Sequence, residues 1–406
     1  MLTQTTPVFC EPHLMNTFAR IPVKLVRGDG IKLYDEHGKV YLDFLSGVGT
    51  VSLGHAHPAV TEAICGQVGR LTHVSNFFYV EHRDQLAARL VALFGDEGKV
   101  FFANSGAEAV EGALKLARKW GHTHKPEATT IVTALGSFHG RTYGAMTATG
   151  QPERALDFAP GLPGFQYVPF NDIEALDATL GGDTVALMLE VVQGESGVWP
   201  ATQEYLDAAS RWCKERNILL IIDEIQTGIY RTGAPFAFQH YGLSPDIITS
   251  AKALGNGYPM GAIIARSQVA DTFKPGDHGT TYGGGPVACA AALATLTALE
   301  ELTVDGLSIC EHVEAVGEYA RKRLTQIPHL TEVRGRGLMI GATLTDDAPL
   351  NAIQVRDALC EGGFIINAPS NTYIRLLPPL ICKNMHIDAI IEALYAIMDT
   401  PGKETS

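Results

Sequence analysis

A chain of 406 residues, 46% apolar and 18% charged, has the make-up of a soluble globular protein and room for two or three packed domains. Its net charge of −13, with no run of Lys and Arg, argues against nucleic acid or an anionic membrane as partner. Seven scattered cysteines without a C-x-x-C, no apolar run of about 18 residues and no basic-then-hydrophobic start argue against a disulfide framework, a zinc site, a membrane span and a secretory leader, and point to the cytoplasm.

Residues 1 to about 15 read as a loose arm. Three short extended pieces, 23–26, 31–34 and 40–43, are separated by Gly28-Asp29-Gly30 and Glu36-His37-Gly38 and predict a small antiparallel meander. His55 and His57, two apart before Pro58, suit a structural loop better than a metal site. A helix over about 59–71 follows. From about 83 to 301 two patterns alternate. Helices are expected over 85–94, 106–120, 203–216 and 286–301, and strands over 99–102, 130–133, 185–190, 218–222 and 247–249. This alternation predicts an α/β fold, with a mainly parallel central sheet, helices on both faces and right-handed crossovers. Beyond it, a helix over 307–324, strands over 338–341, 364–366 and 373–376 and an amphipathic helix over 387–398 predict a smaller α+β domain. The meander is expected to add strands to that domain. The plan is a large domain over 51–301, with 1–50 and 302–406 forming the smaller one from both chain ends.

Two apolar strands each deliver a charged residue to the same sheet edge. Residues 218–222 run into Asp223, and 247–249 lead through Ser250-Ala251 to Lys252 and a Gly-rich turn. In open α/β sheets that edge binds ligands. A lysine amine for a Schiff base and a carboxylate that keeps a ring nitrogen protonated are what pyridoxal phosphate requires; an ordinary Asp–Lys ion pair is the plain alternative. Ser105 with Glu108 three residues on predicts a capping box, and the helix start behind it suits a phosphate, with Gly106 permitting close approach. In Ser137-Phe138-His139-Gly140-Arg141, Phe138 suits stacking on a flat ring and Arg141 suits a two-pronged grip on a carboxylate. Glu195 lies just past another strand end, and Thr280 and Thr281 bring hydroxyls to a Gly-rich loop. No G-x-x-x-x-G-K-[ST] is present, which argues against a nucleotide hydrolase despite the apolar strand ending in acid.

Several stretches stand in a characteristic order: Val-Arg-Gly-Asp-Gly (26–30), Leu-Gly-His-Ala-His-Pro (53–58), Ser-Gly-Ala-Glu-Ala (105–109), Ser-Phe-His-Gly-Arg-Thr (137–142), Asp-Glu-Ile-Gln-Thr-Gly (223–228), Lys252, Thr-Tyr-Gly-Gly (281–284) and Val-Arg-Gly-Arg-Gly-Leu-Met (333–339). Over about residues 15–397 the chain resembles the class III pyridoxal-phosphate aminotransferases, in particular those acting on acetylornithine. The resemblance implies a fold-type I transferase, homodimeric, with its site shared across the interface. Lys252 would hold the cofactor as a Schiff base and shuttle a proton, Asp223 would bond the ring nitrogen, Gln226 would lie near the ring hydroxyl and Phe138 on one ring face. The backbone of Ser105, Gly106 and Ala107 would hold the phosphate, completed by the partner's Thr281, with Thr280 near substrate. Arg141 would bind the α-carboxylate, and Glu195 would mask Arg375 until 2-oxoglutarate needs it. The reaction implied is transfer of the δ-amino group of N-acetylornithine to 2-oxoglutarate; succinylornithine, 4-aminobutyrate, ornithine or lysine are the alternative donors. Phe18 stands where many relatives carry Tyr, and Ser52, Val110 and Gly285 stand where Asn is common. Val48 replaces a Tyr found in ornithine-specific relatives and leaves room for an N-acyl group.

Overall fold

The computed structural model describes residues 11–399, so most of the expected arm, residues 1–10, lies outside it. Seven strands form the central sheet: β1 (Gly98–Ala103), β2 (Thr130–Ala134), β3 (Phe165–Val168), β4 (Thr184–Leu189), β5 (Leu219–Asp223), β6 (Ile247–Ser250) and β7 (Gly261–Arg266), in the spatial order β1-β7-β6-β5-β4-β2-β3. Only β7 runs against the others, antiparallel to both β6 and β1. The five other neighbouring strands pair in parallel.

Period-two geometry explains why the inner strands are apolar throughout. Leu219 and Ile221 of β5 enter one core, with Ala109, Val110, Ala113 and Ala117 of helix α1 (Gly106–His124). Leu220 and Ile222 enter the other, with Tyr205, Leu206 and Cys213 of α2 (Gln203–Glu215) and Leu296 and Leu299 of α3 (Pro286–Glu301). Both faces are covered, so neither can be polar. Each such Leu or Ile contributes about 1.5–3 kcal/mol by leaving water.

Strands β3 and β7, the helices Tyr143–Ala148, Ile173–Thr179 and Ala352–Glu361, and the strand Leu330–Arg336 escape the sequence reading. β3 is an edge strand buried only at Val168, and β7 opens on a glycine directly after a turn, so neither shows the long apolar run of β5. The expected meander is present as Leu25–Asp29, Lys32–Asp35 and Val40–Asp43. It is completed by a parallel strand, Phe364–Ile365, and not by the other C-terminal strands. Those form a separate antiparallel sheet of Leu330–Arg336, Met339–Leu344 and Tyr373–Leu376. His55 Nε2 lies 2.7 Å from Asp43 Oδ2, tying the loop to the meander. Among the described residues no group of three or more His, Cys, Asp or Glu could hold a metal ion.

Candidate active site

The carboxyl ends of β1, β2, β4, β5 and β6 open on a cavity of about 490 Å³. Ser105, Gly106, Ala107, Phe138, Arg141, Glu195, Asp223, Gln226 and Lys252 line it together. Asp223 and Lys252 arrive from adjacent parallel strands: Asp223 pairs with Thr249, and Lys252 follows three residues later. At φ +42°, Lys252 sits in a sharp left-handed turn. Burial pushes its ammonium pKa down and Arg375 adds to this, with only partial offset from Glu195, Asp223 and Glu190.

Asp223 is held firmly. Thr249 Oγ1 and the Ile225 N–H each donate to its Oδ1 at 3.0 Å, and His139 Nδ1 lies 2.7 Å from Oδ2. His139 is buried, which disfavours its charge, yet the hydrogen bond and charge of Asp223, with Glu190 beside them, raise its pKa. Its Nε2 has no partner among the described residues. Glu190, at the end of β4, accepts from the Phe138 N–H at 3.0 Å. Burial, with the nearby Asp223, pushes it up to about 7 against the pull of His139.

A carboxyl whose folded pKa lies above its ordinary 4.5 stabilises the fold most below that value, and loses this contribution as pH rises through about 7. Glu190→Gln is therefore expected to flatten the fall in thermal stability across that window, as thermal unfolding at several pH values would show. An unchanged profile contradicts this assignment.

At the start of α1, Ser105 Oγ accepts from the Glu108 N–H at 3.2 Å, as a cap should. The expected reciprocal half differs: Glu108 Oε2 accepts from the Asn104 N–H at 2.7 Å, one residue earlier, and from Asn104 Nδ2. A Cβ at Gly106 would lie 2.9 Å from Ile225 Cδ1, so a side chain here would press Ile225 aside.

Arg375 is 1% exposed and forms the densest polar cluster. Its Nη1 donates to Glu195 Oε1 and Gly194 O at 2.7 Å and to Gln226 Oε1 at 3.3 Å, and its Nη2 donates to Asn367 Oδ1 at 2.8 Å. Burial works to raise the Glu195 pKa, but Arg375 and Lys252 hold it below the usual range. Arg141 is exposed at the mouth, its guanidinium 5.4 Å from the Phe138 ring centroid.

Thr280 and Thr281 do not line this cavity. Thr280 Oγ1 accepts from Asn104 Nδ2 at 3.0 Å, whereas Thr281 is exposed. Phe18 is 72% exposed and off the cavity, and Val110 is in the core beneath α1. Ser52 is buried with an unpartnered hydroxyl, and Gly285 caps α3. Val48 packs against Val192, Val198, Met339 and Leu377. His139, Glu190, Thr249, Asn367 and Tyr373 received no role from the sequence. For His139 the signal was its place between Phe138 and Arg141; the others depend on long-range pairing.

Residues 15–398 match the family model of aminotransferase class-III. The chain belongs to that family. As a class-III aminotransferase, it is 46% identical to the acetylornithine aminotransferase of Aquifex aeolicus over 386 residues, which cover 95% of this chain and all of the relative. It is also 46% identical to the acetylornithine aminotransferase of Methanocaldococcus jannaschii, with 95% of each chain covered. Among solved structures, an ornithine aminotransferase from Toxoplasma gondii superposes with a TM-score of 0.89 at 34% identity, covering 95% of this chain and 92% of the other. The acetylornithine aminotransferase of Elizabethkingia anophelis gives 0.83 at 34% identity, covering 95% and 96%. The fold is thus that of fold-type I transaminases.

Proposed function

We propose that this transaminase moves the δ-amino group of N-acetylornithine to 2-oxoglutarate, using pyridoxal phosphate, as a cytoplasmic homodimer of the arginine-forming type. The observation that carries this reading is the convergence of Lys252, Asp223 and the α1 start in one cavity beside the Glu195–Arg375 pair. The residues present fit the cofactor: a helix start with free N–H groups for phosphate, the half-buried Phe138 ring for a flat face, and a carboxylate fixed by three donors. The Toxoplasma gondii neighbour carries PLP at partial occupancy in its active site. When bound, the cofactor supplies a carbonyl for amines and an electron sink for the carbanion formed beside it.

The chain's own groups do the rest. Lys252, whose ammonium form burial disfavours, would be nucleophile and then proton carrier. Asp223, supported by His139, would hold the proton on the ring nitrogen. Phe138 would offer its face to the ring, Gln226 would serve its hydroxyl, and Ser105, Gly106 and Ala107 would hold the phosphate. Arg141 would take the α-carboxylate of the amino acid, Thr280 would lie near substrate, and the partner's Thr281 would complete the phosphate site from across the interface. The exposed Thr281 and the exposed aromatics Phe77, Phe78 and Tyr79 favour such an interface. The division into 1–50, 51–301 and 302–406 belongs to the same reading. Both substrates use one cavity in turn, so ping-pong kinetics are expected.

N-acetylornithine ends in a neutral acyl group, whereas 2-oxoglutarate carries a second carboxylate. A single site serves both if Glu195 neutralises Arg375 for the first and turns away for the second. Glu195→Ala is expected to shift the ratio of kcat/KM for glutamate to that for N-acetylornithine by about tenfold toward glutamate. An unchanged ratio removes the gate.

The donor is tested by single-turnover absorbance of the cofactor-loaded protein without keto acid. N-acetylornithine should discharge the visible absorbance faster than ornithine or 4-aminobutyrate. A faster donor would reassign the substrate, and no response to any amine would overturn the activity itself.

A further inference from the structure

The loop from Gly194 to Val198 brings Glu195 to Arg375, and the C-terminal sheet grips that loop from beneath. Arg334, Gly341 and Arg375 pair in one row across its three strands. At one end, the Arg334 guanidinium lies 3.7 Å from the centroid of the Trp199 ring, and its Nε donates to Gly197 O at 2.6 Å. Its Nη1 donates to Glu332 O at 2.7 Å and Thr343 Oγ1 at 2.6 Å, which fixes the fork. In the middle, a Cβ on Gly341 would lie 2.6 Å from Gly197 O and 2.9 Å from Val198 Cβ, so the loop occupies the space of a missing side chain. At the other end, Arg375 Nη1 takes Gly194 O at 2.7 Å, and Tyr373 OH donates to Glu195 O at 2.6 Å.

The carbonyls of Gly194, Glu195 and Gly197 are thus all claimed by this sheet. The β-branched Val198 is held at φ +61°, a strained conformation that a free loop would leave. The grip is on the backbone, Glu195 O included, while the Glu195 carboxylate bonds separately to Arg375 and Gln226. The gate can then open by rotation of one side chain while the loop stays fixed.

We propose that Arg334, seated on Trp199, is a positioning residue for substrate discrimination. It fixes the height of Glu195 over Arg375 and so sets how fully Arg375 is hidden from a distal carboxylate. This rests on the Glu195–Arg375 gate. The test compares Arg334→Ala with Glu195→Ala in the holoenzyme, using two readouts. One is the kcat/KM ratio of glutamate to N-acetylornithine. The other is equilibrium binding of glutarate, a dicarboxylate that cannot react, by titration calorimetry.

Loosening the loop should expose Arg375, so Arg334→Ala is expected to tighten glutarate binding about tenfold and move the ratio toward glutamate, as Glu195→Ala does. Arg334→Lys keeps the charge but neither the fork nor the stack, and should fall between Ala and wild type. Equal losses in both half-reactions with unchanged glutarate affinity would mean a merely structural role and overturn the proposal. If Glu195→Ala shifts both readouts and Arg334→Ala shifts neither, the positioning role alone fails. If Glu195→Ala shifts neither, the gate fails and takes this role with it. Should Arg334→Ala not fold, Trp199→Leu removes only the stacked ring and should still shift both readouts about threefold in the same direction; no shift overturns the proposal.

Discussion

Lys252→Ala is expected to lower transamination by about four orders of magnitude or more, because in the proposed mechanism one amine serves as both nucleophile and proton carrier. Among the described residues no other lysine lines the cavity. The backbone cost of the substitution is small. Position 252 is at φ +42° with a lysine already in place, and alanine adds no atom there. Thermal unfolding should stay near that of the parent, while single-turnover absorbance with N-acetylornithine should show almost no reaction. Small primary amines in the buffer should restore part of the proton transfer. A variant within tenfold of the parent would remove Lys252 from the chemistry.

The second large effect is expected at Asp223. Asp223→Asn keeps the shape and can retain the bonds from Thr249 and Ile225 to its oxygen, but it removes the charge proposed to hold a proton on the cofactor's ring nitrogen. Activity should fall by about three orders of magnitude, through kcat more than KM. A stability signature accompanies it. The raised pKa of His139 means that its bond to Asp223 stabilises the fold fully below its ordinary 6.5, and that this stabilisation fades as pH rises through the raised value. The variant should therefore trail the parent most in acid and least in alkali. Thermal unfolding across that range checks it; a constant gap would show that His139 is neutral throughout.

The pieces of this site differ in how openly the sequence shows them. Asp223 ends one strand buried on both faces and Lys252 lies two residues past another, and such strands print as unbroken apolar runs, so their position at the sheet edge is legible from local pattern alone. The α1 cap was legible for the same reason, though its second half was not. Glu108 reaches Asn104 rather than Ser105, a choice made by loop geometry. Arg375 is different. Its acceptors come from residues 194–195, 226 and 367, brought together only when the C-terminal sheet meets the central one. No periodicity encodes that meeting, and only the resemblance to a family pointed to it. Strands β3 and β7 were missed because an exposed edge and a glycine start dilute the apolar signal that sequence patterning relies on.

The pairing of Val40–Asp43 with Phe364–Ile365 has a consequence for biosynthesis. A ribosome delivers these two strands at opposite ends of translation, separated by roughly tens of seconds at ordinary elongation rates. Throughout that interval the nascent meander has an open edge, exposed to neighbouring chains on the same message. Arg375 emerges later still, after the central sheet can already have assembled co-translationally. A polypeptide released early would carry Lys252 and Asp223 but lack Arg375, the residue to which we assign the choice between two substrates.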